Sequence, residues 1–139
     1  MKYYYNDLAQ KLSGIPHYFE AATEAIKEMY RQVKNPMFDE NGIIKKGLII
    51  RHLVLPNHLQ NTKQVLKWIA KNMNADVYVS VMAQYFPEYK ACETEDINRK
   101  LTQEEYQEIQ DYISKLGIQN GYMQDLEENE KQYVPKWYT

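Results

Sequence analysis

The residue whose type and place most invite chemistry is Arg51, a charged side chain in the middle of an apolar run. Residues 47–56 read GLIIRHLVLP, a composition typical of a strand that is buried on both faces. An ionised group is almost never buried without a partner. We therefore expect Arg51 to meet an anion, which is either a neighbouring carboxylate of the protein or a bound ligand.

The same run places a histidine beside the arginine. Side chains alternate along a strand, so Arg51 and His52 point to opposite faces of the predicted sheet. The face of His52 should look toward covering helices. We therefore predict that His52 is a hydrogen-bonded core histidine, and Arg51 remains the candidate for either a structural ion pair or a ligand contact.

The other residues that could do chemistry favour no metal site. The three histidines, His17, His52 and His58, show no pairing at the i, i+4 spacing that a helical metal site uses. Cys92 is the only cysteine, so it allows no internal disulfide and cannot by itself hold a structural zinc or an iron–sulfur cluster. Carboxylates near Cys92 disfavour its thiolate, which predicts an ordinary thiol.

The elements before Arg51 predict a strand, a helix, a loop and a second strand. Residues 2–5 are a β-prone fragment, and residues 6–14 are polar and turn-like. From about 17 to 34, apolar side chains recur at steps of three and four, as in an amphipathic helix. The polar turn at 39–42 then leads into the strand at 47–56.

The elements after Arg51 repeat this pattern. Asn61 or Thr62 is predicted to cap a helix that ends near Asn74, and residues 77–85 are predicted to form a strand. After a long connection, a T-x-x-E capping box opens a third helix at 102–117. The remainder, 118–139, is predicted to be a partly irregular C-terminal extension that begins with a short strand.

This alternation of strands and helices predicts an α/β protein with a parallel sheet of βα units. Parallel neighbours need crossovers of a dozen or more residues, and such crossovers are right-handed. Too few strands are present to complete such a sheet, and its open edges would invite pairing with another chain. The sequence therefore looks like part of a larger sheet or barrel.

Composition excludes two classes of partner. The 139 residues are 44% hydrophobic, enough for one core and one domain. A net charge of -2 gives no nucleic-acid footprint. No apolar run reaches the ~20 residues of a membrane helix, and the N-terminus has no secretory h-region, so we expect a cytoplasmic protein without a membrane partner.

Three segments carry a resemblance to a known family. The runs KGLIIRHLVLPNHLQNTKQVLKWIA, VYVSVMAQYFPEYKA and INRKLTQEEY resemble the C-terminal half of radical S-adenosylmethionine proteins of the pyruvate formate-lyase activating enzyme type. The opening residues 2–33 are similar to the preceding segment of the same proteins, so the resemblance covers nearly the whole chain. It is strongest to the uncharacterised activating-enzyme-like branch.

The resemblance implies a partial (β/α) barrel and a radical chemistry. In the complete family enzyme, a [4Fe-4S] cluster reduces S-adenosylmethionine to a 5'-deoxyadenosyl radical, and the substrate is a protein such as a glycyl radical enzyme. By position, Arg51 and Lys2 would bind S-adenosylmethionine, and Tyr85 or the adjacent Gln84 would lie near it. No catalytic residue and no metal ligand carries over to this chain.

One departure from the family is large, because the cluster motif Cys-x-x-x-Cys-x-x-Cys and the glycine-rich strand are absent. We therefore expect residues 1–139 to be a C-terminal part, truncated at the N-terminal side, inactive alone and without a cofactor of its own. Its expected partner is the missing N-terminal half, or a copy of itself at the sheet edges. The alternative is a non-catalytic, self-associating half-barrel that binds a small anion at Arg51.

Overall fold

The computed structural model describes residues 1–124 and residue 126. The helices and strands follow in chain order: α1 (Asn6–Ser13), α2 (Tyr18–Val33), β1 (Met37–Phe38), β2 (Ile44–Lys46), β3 (Ile49–Leu53), α3 (Leu59–Asn72), β4 (Tyr78–Met82), α4 (Gln103–Leu116) and β5 (Asn120–Met123). Two 3₁₀ turns, Tyr89–Glu93 and Glu95–Ile97, lie in the connection between β4 and α4.

The centre of the fold is a parallel sheet with the strand order β3, β4, β5. The units β3-α3-β4 and β4-α4-β5 place each strand beside the one that follows it in the chain. Ile50 pairs with Val79 and His52 with Val81, and these four side chains are almost fully buried. The buried face of the sheet is therefore the one that these alternate residues occupy.

Helices α3 and α4 supply the other half of the core because each carries an apolar stripe at helical spacing. The stripe of α3 includes Leu66 and Ile69, and that of α4 includes Ile109, all without measurable exposure. These side chains pack with the buried face of the sheet in one cluster. At roughly 25 cal/mol per Å² of apolar surface, this burial is the main stabilising contribution to the fold.

The ends of α4 agree with the sequence prediction. The Thr102 hydroxyl accepts a hydrogen bond from the Glu105 amide, and the Glu105 carboxylate accepts one from the Thr102 amide, which completes the predicted capping box. Gly117 ends the helix in the left-handed conformation with φ 71°. The predicted strands around Arg51 and at 77–85 are also present, although both are shorter than predicted.

The prediction of a partial barrel is wrong. The described chain contains an open three-stranded parallel sheet and a separate two-stranded antiparallel sheet, and neither closes. The physical reason lies in the residues that were expected to add strands before β3. Residues 1–5 form no strand, and residues 37–46 form the antiparallel hairpin β1-β2 instead of leading directly into β3.

Two local predictions also need correction. Residues 6–14, predicted to be turn-like, contain α1, whose Leu8 and Ala9 are buried. The side chains of Asn61 and Thr62 do not cap α3, because the helix begins at Leu59 and both side chains bond elsewhere. In each case, tertiary contacts override a local preference.

A second, smaller core lies where α1 meets the loops that follow β3 and β4. Tyr3, Leu8, Ala9, Leu55 and Ile97 form it. This cluster fastens the N-terminal residues and α1 to the carboxyl side of the sheet. Open α/β sheets commonly bind ligands at that side.

Among the helices of residues 1–124, none has both the length and the apolar character needed to cross a bilayer. Most of the predicted C-terminal extension lies outside the described residues. Its predicted short strand falls in the described part and corresponds to β5.

Candidate functional site

The candidate site is the face of the parallel sheet opposite the buried face, which we call the open face. It carries the alternate residues of the three strands: Ile49, Arg51, Leu53, Tyr78, Ser80, Met82, Asn120 and Tyr122. Of these residues only Ser80 is buried, and the others are half-buried or exposed. Parallel sheets normally have both faces covered, so this exposure makes the open face the candidate binding surface.

Arg51 lies at the centre of β3 with its side chain on the open face, and it is exposed. Its Nη2 donates to the thioether sulfur of Met82 at 3.0 Å. The ion pairs of the described residues do not include Arg51. A thioether is a weak acceptor, so the guanidinium retains its capacity for a bidentate anion contact.

Lys2 lies in a segment that buried polar side chains hold along the outer edge of β3. The Met1 amine donates to the Arg51 carbonyl at 2.8 Å, and the Met1 carbonyl lies 2.8 Å from His52 Nδ1. Asn61, only 2% exposed, donates to the Lys2 carbonyl and accepts from the Tyr4 amide. The backbone of Lys2 is thus close to β3, while its side chain is exposed.

The other two residues that the resemblance placed near S-adenosylmethionine lie just beyond β4. The Tyr85 hydroxyl donates to the Ile97 carbonyl at 2.8 Å, and its ring packs on the second core. Burial, with a smaller contribution from Cys92, raises the pKa of Tyr85. Tyr85 therefore fastens a loop, and Gln84 beside it is half-buried. The structure does not bring Tyr85 to the open-face position of Arg51.

A polar network joins the turn after β3 to the start of α4. Arg99 makes a bidentate ion pair with Glu105 at 2.8 and 3.0 Å and donates to the Asn57 side-chain oxygen at 2.7 Å. Asn57 has φ 62°, and its amide donates to Glu105. Asparagine tolerates this left-handed conformation, and here its side-chain amide also donates to the Asp96 carbonyl in the connection between β4 and α4. The network fixes the carboxyl side of the sheet.

His58 extends that side toward α1. Its Nε2 lies 3.6 Å from a carboxylate oxygen of Asp96, and Lys11 of α1 pairs with the same oxygen. Burial lowers the pKa of His58, which outweighs the opposite influence of Asp96. A cavity of about 350 Å³ adjoins the group and is lined by Asp7 among others. Because Lys11 already neutralises Asp96, we assign this group to loop anchoring.

The described residues offer no metal centre. They contain no group of three histidine, cysteine, aspartate or glutamate side chains that could hold a metal ion. Cys92 is exposed, and its thiol lies 3.6 Å from the Pro87 carbonyl. A [4Fe-4S] cluster, which takes several thiolates, does not fit these residues.

Sequence reasoning missed two residues on the open face, Ser80 and Tyr122. Both lie in the same register row as Arg51, across three strands. The alternation of β4 does place Ser80 on the more polar face of that strand. The pairing of β4 with β5 is a tertiary fact, and without it Tyr122 could not be linked to Arg51.

A curated archaeal protein matches most of this chain. The uncharacterized protein MJ0674 of Methanocaldococcus jannaschii is 39% identical to this chain over 114 residues, which is 81% of this chain and 29% of that protein. The chain therefore spans less than a third of the length of the relative it matches. The chain matches no family model and no solved structure.

Proposed function

We propose that this chain is part of a radical S-adenosylmethionine protein of the glycyl-radical-activating type, and that its open face binds S-adenosylmethionine. The observation that carries the proposal is the position of Arg51. Its guanidinium lies on the open face of the parallel sheet, where it donates a hydrogen bond to the thioether sulfur of Met82. The methionine carboxylate of S-adenosylmethionine is a suitable partner for it.

The residues of this chain indicate which part of the proposed enzyme it would supply. This chain would bind and orient the cofactor's amino acid end through Arg51, with Lys2 as a nearby exposed cation. The cluster, which supplies the electron in the family reaction, would need cysteines from other protein. We therefore propose that a partner polypeptide or further chain completes the enzyme and that a glycyl radical enzyme is the substrate.

Calorimetric titration with S-adenosylhomocysteine tests the proposal, because this ligand keeps the carboxylate and undergoes no radical chemistry. Arg51→Ala should weaken binding by about tenfold or more, since a charge-assisted hydrogen bond contributes ~1.5–3 kcal/mol. Arg51→Lys should restore part of the affinity, because lysine keeps the charge and loses the bidentate geometry.

The matched control is Arg31→Ala. Arg31 is exposed on α2 and pairs with Glu28, away from the open face, so its removal should leave affinity unchanged. A second ligand, decarboxylated S-adenosylmethionine, should bind wild type and Arg51→Ala equally. Failure of the wild-type chain to bind S-adenosylhomocysteine, or equal binding by Arg51→Ala, would contradict the proposal.

A second candidate function is self-association of a non-catalytic binding domain. The observation that favours it is the outer edge of β5, since within the described chain β5 pairs with β4 alone. Unpaired strand edges are templates for pairing with another chain. Light scattering over a hundredfold range of concentration would detect it, and a constant monomer mass would exclude it.

A further inference from the structure

A cavity with two lysines and a tryptophan in its wall lies beside α3. Its volume is about 300 Å³, and it is lined by Tyr4, Gln64, Lys67, Trp68, Lys71 and Asn72. All but Tyr4 belong to α3, where spacings of three, four and seven residues place side chains on one face of the helix. Because α3 covers the buried face of the sheet, this cavity is separate from the open face. Ligand pockets measure ~300–1,000 Å³, so the cavity suits a small molecule rather than a polymer.

The two lysines of the cavity have no carboxylate partner among the described residues. Lys67 and Lys71 are exposed, and the ion pairs of residues 1–124 include neither of them. By contrast, Lys63, one turn earlier on the same helix, pairs with Glu108 of α4. Like charges four residues apart on a helix repel each other, so an anion bound between Lys67 and Lys71 stabilises both.

The kind of cation indicates the kind of anion. A lysine ammonium group binds phosphate as a point charge, whereas the planar fork of arginine matches a carboxylate. Two lysines on one helical face can contact different oxygens of a single phosphate group. Lys27 of α2 adds a third ammonium group nearby, because its Nζ lies 5.8 Å from the centroid of the Trp68 ring.

The Trp68 ring gives the cavity an aromatic wall that other rings hold in place. It packs edge-on against Phe19 of α2 with centroids 6.3 Å apart, and Phe19 packs in the same way against Tyr4 at 4.7 Å. Trp68 is half-buried, so part of its ring is accessible. A fixed and partly exposed indole offers a stacking surface for a heteroaromatic base.

We propose that this cavity binds a nucleoside phosphate. Lys67 and Lys71 bind the phosphate, and Trp68 stacks on the base. The side-chain amide of Gln64, which can both donate and accept, hydrogen-bonds to the base edge. The inference goes beyond the proposed function and does not rest on it. It explains why two lysines without carboxylate partners lie beside a fixed aromatic ring in a chain whose net charge is -2.

Calorimetric titration of the full chain with adenosine monophosphate tests the phosphate contact. Replacing both Lys67 and Lys71 with alanine should weaken binding by about tenfold, and adenosine should bind wild type more weakly by a similar factor. Both lysines are exposed and alanine favours helices, so the double variant should fold. Lys115→Ala is the matched control, because Lys115 is an exposed lysine on α4 and its loss should leave affinity unchanged.

The stacking contact has a separate readout in the fluorescence of Trp68. The chain has two tryptophans, so Trp137→Phe leaves Trp68 as the only indole emitter. Saturating adenosine monophosphate should quench this emission, and inorganic phosphate should not. Inorganic phosphate should also bind about tenfold more weakly than the nucleotide, because it gains no stacking.

Four results would each overturn the inference. Wild type may not fail to bind adenosine monophosphate at about 1 mM, and the double lysine variant may not keep full affinity. Equal affinities for phosphate and nucleotide, without quenching of Trp68, would show an adventitious ion only. Tighter binding of an oligothymidylate than of the mononucleotide would assign the surface to nucleic acid. None of these results bears on the binding of S-adenosylhomocysteine at Arg51, so the two proposals can fail separately.

Discussion

His52 of β3 and Thr62 of α3 form a buried hydrogen bond of 2.8 Å between the imidazole Nε2 and the hydroxyl. The other ring nitrogen lies 2.8 Å from the Met1 carbonyl, so His52 links the sheet, a helix and the N-terminal segment. The residue is 1% exposed. The prediction of a hydrogen-bonded core histidine is therefore confirmed.

Burial makes this histidine a source of pH-dependent stability. Removal from water lowers the pKa of His52 to about 4, from an ordinary value of 6.5. Above pH 6.5 the imidazole is neutral in both states, and stability is complete. As the pH falls from 6.5 to about 4, the unfolded chain binds a proton that the native chain does not. The free energy of unfolding should fall by about 3 kcal/mol across this window.

His52→Gln should remove that pH dependence and should also lower stability at pH 7 by ~1–3 kcal/mol, because buried partners lose their hydrogen bonds. Urea unfolding at a series of pH values measures both effects. His17→Gln is the control, because His17 is exposed and should leave the profile intact. An unchanged slope in His52→Gln would place the effect on another group.

Glu105 should affect stability at lower pH. The Arg99 guanidinium, with hydrogen bonds from the Thr102 and Asn57 amides, lowers the pKa of Glu105 to about 2. Its contribution is complete above about pH 4.5 and disappears as the pH falls toward 2. Glu105→Gln should therefore lose on the order of 1 kcal/mol at pH 7 and less at pH 3. Thermal unfolding at both pH values, with Glu104→Gln as a neighbouring exposed control, measures the difference.

The backbone before β3 packs so closely against Pro36 that position 47 must be a glycine. Its φ is 123°, and a Cβ there would lie 2.3 Å from the Cα of Pro36, a backbone atom that cannot move aside cheaply. Gly47→Ala should lose ~2 kcal/mol or more of unfolding free energy. Gly42→Ala should lose only about 1 kcal/mol, because its φ is 75° and nothing lies near the added methyl. Equal losses in denaturant unfolding would refute the close approach.

Tyr85 should stabilise the protein without contacting the proposed ligand, S-adenosylmethionine. Tyr85→Phe removes the hydrogen bond to the Ile97 carbonyl and should cost ~1 kcal/mol of stability. The affinity for S-adenosylhomocysteine should stay unchanged in a calorimetric titration. Tyr89→Phe provides an exposed control for both measurements. A loss of affinity in Tyr85→Phe would instead support the position that the family resemblance implies.

Predictions from the sequence were correct where a structural feature depends only on residues close together in the chain. The capping box at Thr102 and Glu105 and the left-handed Gly117 need only neighbouring residues, so the sequence could predict them. The rules failed at Asn61, where a cap was predicted. Its amide instead bonds to Lys2 and Tyr4, more than fifty residues away in the chain. When a side chain has several possible hydrogen-bond partners, its actual partner is known only from the fold, which brings one of them close.

The sequence by itself determined the amphipathic helices, the strand around Arg51 and the opposite orientations of Arg51 and His52, because period and alternation are local properties. Only the tertiary structure decided that the sheet is open, that residues 37–46 form a hairpin, and that Ser80 and Tyr122 join Arg51 in one row. Strand pairing depends on long-range register, and that register is set by packing across the whole core.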